Sequence, residues 1–161
     1  MPILEHQLEI AAPSERVFDL SRSIDLHQIS TAHTGERAIG GRMQGLIELG
    51  ESVRWRAKHF GIWQELSVKI SAFEYPSYFC DEMQEGAFAS FKHEHFFTPT
   101  AYGVLLRDRF SYRSPLGILG RVADVLFLKA YMHNFLLKRN LIIKIYAESD
   151  KWKEILPIKE K

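Results

Sequence analysis

The sequence has little cysteine and almost no net charge, and each shortage excludes a class of protein. Cys80 is the only cysteine among 161 residues, so no disulfide can form within the chain, and a lone cysteine suits a reducing compartment. Lysine and arginine number 21 against 20 acidic residues. Because there is no excess of positive charge, we do not expect a nucleic acid as the partner.

Signals for export and for membrane insertion are also missing. Residues 1–6 have neither the basic region nor the apolar region of a secretory signal. The longest apolar stretch, residues 116–146, is interrupted by six charged residues, which is too many for a spanning helix. We therefore expect a cytoplasmic protein without a membrane span.

Nothing in the pattern divides the chain into several domains. The sequence contains no internal repeat, no low-complexity run and no linker. Hydrophobic residues make up 46% and charged residues 25%, which is typical of a globular protein. A length of 161 residues corresponds to one ordinary domain. We expect a single domain over residues 1–150 and a mixed-charge tail over residues 151–161 that frays.

Most of the chain is typical of an antiparallel sheet. Residues 4–10 alternate between apolar and polar, as in a half-buried strand, and Pro13 and Glu15 then indicate the start of a short helix. A second short helix is predicted over residues 25–30. Residues 51–113 alternate again between turns, which predicts a meander of strands. The glycines of residues 35–50 match no phosphate-binding motif, so they predict turns and bulges at the rim of the sheet.

The last predicted element is one long helix. Ser114 and Pro115 are typical of an N-cap and a first helical position, and the helix could run about thirty residues to near Glu148. More than half of its circumference is apolar, so more than one surface should cover it. One side carries Leu119, Val122, Ala123, Leu126, Ala130 and Leu137, and another carries Phe127, Tyr131 and Phe135.

The order of these elements predicts an α+β helix-grip fold. It consists of a curved antiparallel sheet of about seven strands around a long C-terminal helix, with two short helices after the first strand. The motifs along the chain are residues 12–13 and 17–18, residues 36–41, Trp55, residues 59–61, Pro76, Phe79, Asp81, residues 93–96, Asp108, Tyr112 and residues 115–117.

Together these motifs resemble the SRPBCC superfamily of START-like and birch-pollen-allergen-like proteins. The resemblance extends over nearly the whole chain and is greatest to the bacterial ligand-binding, polyketide-cyclase-like members. It implies a deep cavity between sheet and helix, which members use for lipids, sterols, polyketides and other apolar molecules. A minority of members are enzymes, notably aromatase/cyclases. The resemblance implies no catalytic residue for this chain, because the narrower family supplies no catalytic motif to match.

Several polar residues share a strand face with apolar ones. His93 and His95 alternate with Lys92 and Glu94, so the two histidines face the core. Asp81 is ambiguous, because apolar residues lie on both faces of its strand. Buried polar groups need partners. We therefore expect the four polar residues that face inward to converge on one another or on water in a cavity. These four are His59, His93, His95 and Asp108.

Three interpretations of this polar group remain open. It could be a hydrogen-bonded brace of the sheet, or the polar end of a ligand pocket. It could also be a catalytic or metal site with three histidines, or with two histidines and one carboxylate. We expect no metal, because a single His-x-His pair is common and the further ligands are inferred from alternation alone.

The function that the sequence favours is binding of a small hydrophobic molecule without a cofactor. The expected ligand-binding residues are Trp55, His59, Phe91, His93, His95, Leu106, Asp108, Phe110 and Leu126, with Leu66, Val68 and Ala130 as further wall residues. They should line a cavity of about 300–1,000 Å³. One alternative is a cyclase or dehydratase in which a histidine–aspartate pair acts as general acid and base. The other is an interaction module that forms a homodimer through the outer face of the long helix.

Overall fold

The computed structural model describes residues 1–158, and an antiparallel sheet forms most of it. The order in the sheet is β1-β7-β6-β5-β4-β3-β2, so β2 to β7 form a meander and β1 joins it beside β7. The sheet confirms the α+β helix-grip prediction. Its strands are β1 (Ile3–Ile10), β2 (Arg37–Gly41), β3 (Ser52–His59), β4 (Ile62–Glu74), β5 (Tyr78–Glu85), β6 (Ser90–Thr100) and β7 (Gly103–Arg113).

Two short helices follow β1, as predicted. They are α1 (Ser14–Ser21) and α2 (Ile24–Ser30), and a 3₁₀ turn over Ala32–Thr34 leads from α2 towards β2. The hydroxyl of Ser23 caps α2 by accepting a hydrogen bond from the backbone N–H of Leu26 at 3.2 Å. The fully buried Phe18 packs edge-on against Phe79 of β5, so α1 covers the inner face of the sheet.

The glycine-rich segment forms the edge strand β2 and contains a bulge. The pairing of β2 with β3 shifts register between Ala38 and Gly40. Gly41 has a φ of 67°, and a side-chain carbon there would collide with the carbonyl of Ser52. Only glycine fits this close approach without strain. The prediction of a bulge at the rim of the sheet is confirmed.

The C-terminal helix has three consecutive parts. They are α3 (Gly117–Ala123), a π-helical segment over Asp124–Leu128, and α4 (Lys129–Glu148). The predicted N-cap at Ser114 is wrong. The helix begins after Leu116, whose φ is 64°, and the Ser114 hydroxyl hydrogen-bonds the buried carboxylate of Asp124 instead. Ser114 is therefore used to satisfy a buried acid further along the helix.

The two ends of this long helix are buried to different extents. In α4, Leu136, Ile143 and Ala147 are buried against the sheet, and α1 and α2 pack on the same helix. Leu119 and Leu126 are 71% and 72% exposed, so the prediction that several surfaces cover the whole helix is wrong for this part. The covering helices lie over α4, and periodicity alone cannot locate such neighbours.

The chain also remains ordered after α4. Helix α5 (Trp152–Ile155) packs on α1, with the Arg16 guanidinium 4.4 Å from the centre of the Trp152 ring, and Leu156 is buried in the core. The prediction of a frayed tail is therefore wrong for residues 152–156, because apolar side chains between the charges anchor it to the core. The rest of that prediction, at residues 159–161, lies outside the described residues. Within residues 1–158, no helix is long and apolar enough to cross a bilayer.

Candidate functional site

A cavity of about 320 Å³ lies between the inner face of the sheet and the helices. This volume is near the lower limit of the range typical of small-molecule sites. Strands β3 to β7 supply one wall, and α4 supplies the other. The apolar lining residues are Ile24, Ile47, Val53, Trp55, Phe60, Leu66, Val68, Ile70, Phe79, Ala87, Phe88, Phe91, Phe110, Pro115, Leu128, Met132, Phe135 and Leu136.

The structure places the nine expected ligand-binding residues in three different surroundings. Leu106 and Asp108 are completely buried behind the lining, and Leu126 is exposed on the outside of the helix, as is the wall residue Ala130. Their predicted place in the lining is therefore wrong. Leu128 and Met132 face the cavity instead, because strand alternation fixes a face while helix orientation depends on packing. Of the nine expected ligand-binding residues, six line the cavity: Trp55, His59, Phe91, His93, His95 and Phe110.

Inside the sheet, His95 is held between two carboxylates. Its Nδ1 lies 2.8 Å from Asp108 Oδ1, and its Nε2 lies 2.9 Å from Asp81 Oδ1. His95 is directly opposite Asp108 across β6 and β7, and Asp81 is opposite His93 across β5 and β6, so register brings these side chains together. A ring with a carboxylate at each nitrogen is suited to donate from both.

These carboxylates favour the positively charged form of the His95 imidazole. Burial alone would lower the pKa of His95, but the charge of Asp108 and the hydrogen bonds to Asp108 and Asp81 raise it above its ordinary value. Burial would raise the pKa of Asp108, but the charge of His95, its hydrogen bond to Asp108 and the nearby ring of His93 hold that pKa well below its ordinary value. The result is a buried ion pair that is hydrogen-bonded on both sides.

Helix α4 closes this group from above. Asn140 Nδ2 donates to Asp108 Oδ2 at 2.5 Å, and Arg139 Nη1 lies 3.6 Å from the same oxygen. Arg139 Nη2 also donates to the carbonyl of Ser21 at 3.0 Å, which connects the group to the end of α1. We refer to Asp81, His93, His95, Asp108, Arg139 and Asn140 as the Asp108 cluster.

Sequence reasoning missed the α4 members of the Asp108 cluster. Arg139 and Asn140 stand in the longest apolar stretch of the sequence, and neither was expected to contribute to a site. Both are buried. The signal that could have found them is their spacing, because Asn140 follows Leu136 by four residues and precedes Ile143 by three. A polar residue in a buried helical stripe needs a buried partner. The ambiguous Asp81 turns inward and provides one of the two carboxylates.

His93 is the member of the Asp108 cluster with an unused nitrogen. Its Nε2 has no hydrogen-bond partner within residues 1–158 and lies 3.8 Å from Asp108 Oδ2, which is too far for a hydrogen bond. Burial, followed by the positive charge of His95, lowers the pKa of His93, so its ring is neutral. A neutral imidazole at the cavity wall offers one donor and one acceptor.

Three side chains have the composition and spacing of a metal site, but the protonation of His95 is unfavourable for metal binding. Ligand atoms of Asp81, His93 and His95 lie within 4.8 Å of one another, which is the composition of a two-histidine, one-carboxylate centre. A metal needs an unprotonated imidazole nitrogen, whereas both nitrogens of His95 already face carboxylates. Binding would have to displace a proton from that ring. The expectation that no metal binds stays a prediction.

A second polar group borders the cavity near β3. His59 Nδ1 lies 2.6 Å from the hydroxyl of Tyr131, and His27 Nε2 lies 3.1 Å from Glu36 Oε1. Burial, and then the charge of nearby Glu36, raises the pKa of Tyr131. We refer to Glu36, His27, His59 and Tyr131 as the Glu36 group.

Of the two expected alternatives, convergence of His59 on His93, His95 and Asp108 is therefore wrong, although His59 does border the same cavity. His59 ends β3, and β4 separates that strand from β5 and β6, which carry the nearest members of the Asp108 cluster. Alternation correctly turned His59 towards the interior, but it contains no information about distance across the sheet.

The chain resembles known proteins in structure and not in sequence. No protein-family model and no curated protein matches it. The crystal structure of TTHA0849 from Thermus thermophilus superposes with a TM-score of 0.74 at 16% identity, over 91% of this chain and 97% of that one. Ginseng major latex-like protein 151 from Panax ginseng gives 0.67 at 17% identity, over 92% and 98%. The di-domain ARO/CYC StfQ from the steffimycin biosynthetic pathway gives 0.73 at 14% identity, over 92% and 51%.

At these identities the likeness shows the fold. A seven-stranded antiparallel sheet, two short helices after β1 and a long C-terminal helix are shared with a major latex-like protein and with one half of an ARO/CYC protein. The helix-grip architecture that the resemblance implies is therefore confirmed.

Proposed function

We propose that this protein binds a small, mainly apolar molecule in the cavity and holds one oxygen of that molecule at His93. The observation that carries the proposal is a neutral, buried imidazole at the wall of a mainly apolar cavity, with neither of its ring nitrogens hydrogen-bonded within residues 1–158. Burial of apolar surface supplies the affinity. The imidazole supplies orientation, because a ligand oxygen would satisfy a nitrogen that is otherwise unpaired.

The remainder of the Asp108 cluster supports a binding role because it is rigid and electrically balanced. Asp81 and Asp108 are negative, His95 and Arg139 are positive, and His93 is neutral. The charges therefore cancel close to the cavity. A polar wall whose geometry is already held needs little reorganisation when a ligand enters.

The arrangement favours binding over the cyclase or dehydratase alternative. Both nitrogens of His95 are bonded to carboxylates, so the histidine–aspartate pair that sequence suggested has no free nitrogen for a substrate proton. His93 has a free nitrogen, but neither of its two ring nitrogens lies within hydrogen-bond distance of a carboxylate. No carboxylate therefore orients His93 as a base.

A neutral fluorescent probe, N-phenylnaphthylamine, tests the proposal. We expect saturable binding by the wild-type chain and a loss of at least about tenfold in Val68→Phe, since a phenyl group at this buried wall position fills part of the cavity. The matched control is Val125→Phe, because Val125 is 86% exposed on the outer face of the helix. Equal affinities of the two variants, with both folded by circular dichroism, would contradict a binding cavity.

The expected homodimer is a second proposal, supported by the exposed outer face of α3 and the π-helical segment. Ile118, Leu119 and Val125 are all more than two-thirds exposed there. A second copy packed on this face would remove them from water. Sedimentation velocity over a range of concentrations should show a dimer that Val125→Asp disperses. A wild-type monomer at every concentration would contradict it.

A further inference from the structure

We propose that Glu36 forms a second binding position in the cavity, so that the ligand carries two polar groups, one at each end of an apolar body. The group at Glu36 is a hydrogen-bond donor, either a hydroxyl or an amine. This inference rests on the proposed function, and it specifies the chemical class of the ligand rather than the presence of a cavity.

The first step concerns the hydrogen bonds that the two oxygens of the Glu36 carboxylate make. Its side chain is 7% exposed and borders the cavity. Oε1 is 3.1 Å from His27 Nε2, whereas Oε2 is buried and has no partner within residues 1–158. A buried carboxylate oxygen without a donor is unfavourable, and an ionised carboxylate only accepts hydrogen bonds. The partner that would satisfy Oε2 must therefore donate.

The second step is that Glu36 is held in place before any ligand binds. His27, the partner of Glu36, is itself held: its ring lies 4.3 Å from the ring of Trp55. The backbone carbonyl of His27 accepts hydrogen bonds from the hydroxyls of Ser30 and Thr31. Gly35, with a φ of 66°, sets the turn that directs Glu36 inward from the start of β2. The carboxylate thus has a fixed position on the cavity wall and is not a mobile surface acid.

The third step is the separation of the two polar positions. Glu36 directly precedes β2, whereas His93 lies on β6. In the sheet, β3, β4 and β5 stand between these two strands, so the two polar positions lie far apart along the cavity wall. Apolar residues such as Leu66, Val68 and Phe91 line the space between them. A ligand that reaches both positions therefore needs an apolar body that extends along this wall.

The charges also determine which polar groups fit. An ionised carboxylate placed at Glu36 would face another carboxylate oxygen at short distance, which is repulsive. Two carboxylates also stand behind His93, although their charges are balanced within the Asp108 cluster. We therefore expect amino alcohols and diols to be preferred over fatty acids of the same length.

Competition against N-phenylnaphthylamine tests this inference with three straight-chain probes: decanol, aminodecanol and decanoic acid. In the wild-type chain, aminodecanol should bind roughly 10–100 times more tightly than decanol, as expected for a hydrogen bond to a buried charge. Decanoic acid should bind more weakly than decanol. This ordering uses the unaltered protein, so it does not depend on how well a variant folds.

Variants then assign the preference to Glu36. In Glu36→Gln, the preference for aminodecanol over decanol should fall to about threefold or less while the affinity for decanol is retained. In His93→Leu, both probes should weaken by a similar factor and the amine preference should survive. The matched control is Glu5→Gln, because Glu5 is an exposed acid of β1 and its removal changes the net charge equally.

The outcomes separate this inference from the proposed function. If N-phenylnaphthylamine and decanol do not bind at all, both are wrong. If they bind but aminodecanol has no advantage, or if its advantage is the same in Glu36→Gln and Glu5→Gln, only the role of Glu36 is wrong.

Discussion

The two polar ends of the cavity both place histidine beside a buried carboxylate but differ in how completely these side chains are paired. In the Asp108 cluster, both oxygens of Asp108 and both nitrogens of His95 have partners. In the Glu36 group, one oxygen of Glu36 is hydrogen-bonded to His27, and the other has no partner in the part of the chain that the structure describes. A closed network mainly holds the fold, whereas an unpaired buried atom is available to a ligand. Within the Asp108 cluster, only His93 resembles the open end.

The largest effect should come from removing the centre of the closed network. Asp108→Ala leaves His95 and Arg139 buried without their carboxylate, so we expect a loss of about 3–5 kcal/mol in the free energy of unfolding. Urea unfolding followed by circular dichroism measures it. Glu36→Ala at the open end should cost clearly less, since one of its oxygens is already unpaired. Equal losses at the two ends would remove the distinction between them.

The pH dependence of stability should distinguish the two histidines of the closed end. The folded-state pKa of His95 is raised, so its contribution is fully present below its unfolded pKa of about 6.5 and disappears as the pH rises through the folded value. The pKa of His93 is lowered, so its contribution is present above about 6.5 and disappears as the pH falls through the folded value.

Urea unfolding between mildly acidic and mildly alkaline pH checks this prediction. His95→Gln should remove the decline in stability above neutral pH. His93→Phe should reduce the decline below neutral pH without abolishing it, because the pKa values of His6, His33 and His59 are also lowered by burial. His133→Gln is the control for the alkaline decline, which it should leave in place; the ring of His133 lies 4.5 Å from that of His6, so it is not used as a control below neutral pH. If the alkaline decline survived in His95→Gln, the interpretation of His95 as a buried imidazolium would be wrong.

A smaller effect is expected at the open end. His59→Phe removes the hydrogen bond to Tyr131 but keeps a ring at the same half-buried position, so the free energy of unfolding should fall by about 0.5–1.5 kcal/mol. Affinity for N-phenylnaphthylamine should remain within about threefold, because the apolar wall is unchanged. A larger loss of affinity would make His59 a direct ligand contact and extend the open end beyond Glu36.

Metal addition should have the smallest effect. We expect no stoichiometric zinc after dialysis and no change in Tm on adding zinc at neutral pH, since the nitrogens of His95 are held by carboxylates. Elemental analysis and thermal unfolding measure these. About one zinc per chain, lost in His93→Phe, would contradict the prediction and favour the enzyme alternative.

The sequence pattern was sufficient to predict a side-chain contact where the two residues lie on neighbouring strands. Alternation placed His93, His95 and Asp108 on the inner face, and strand register then joined His95 to Asp108. Local pattern failed where two distant elements meet. It did not bring Arg139 and Asn140 to Asp108, and it placed Leu126 inside the cavity although the helix turns that residue outward.

By itself, the sequence determined the order of strands and helices and the inward direction of the polar strand residues, because periodicity and turn residues act over a few neighbours. Tertiary structure alone decided which inward residues meet. It placed His59 with Tyr131 and Glu36 with His27, and it enclosed His95 between Asp81 and Asp108. The physical reason is that burial and pairing depend on what packs across the sheet, and those contacts join residues far apart in the chain.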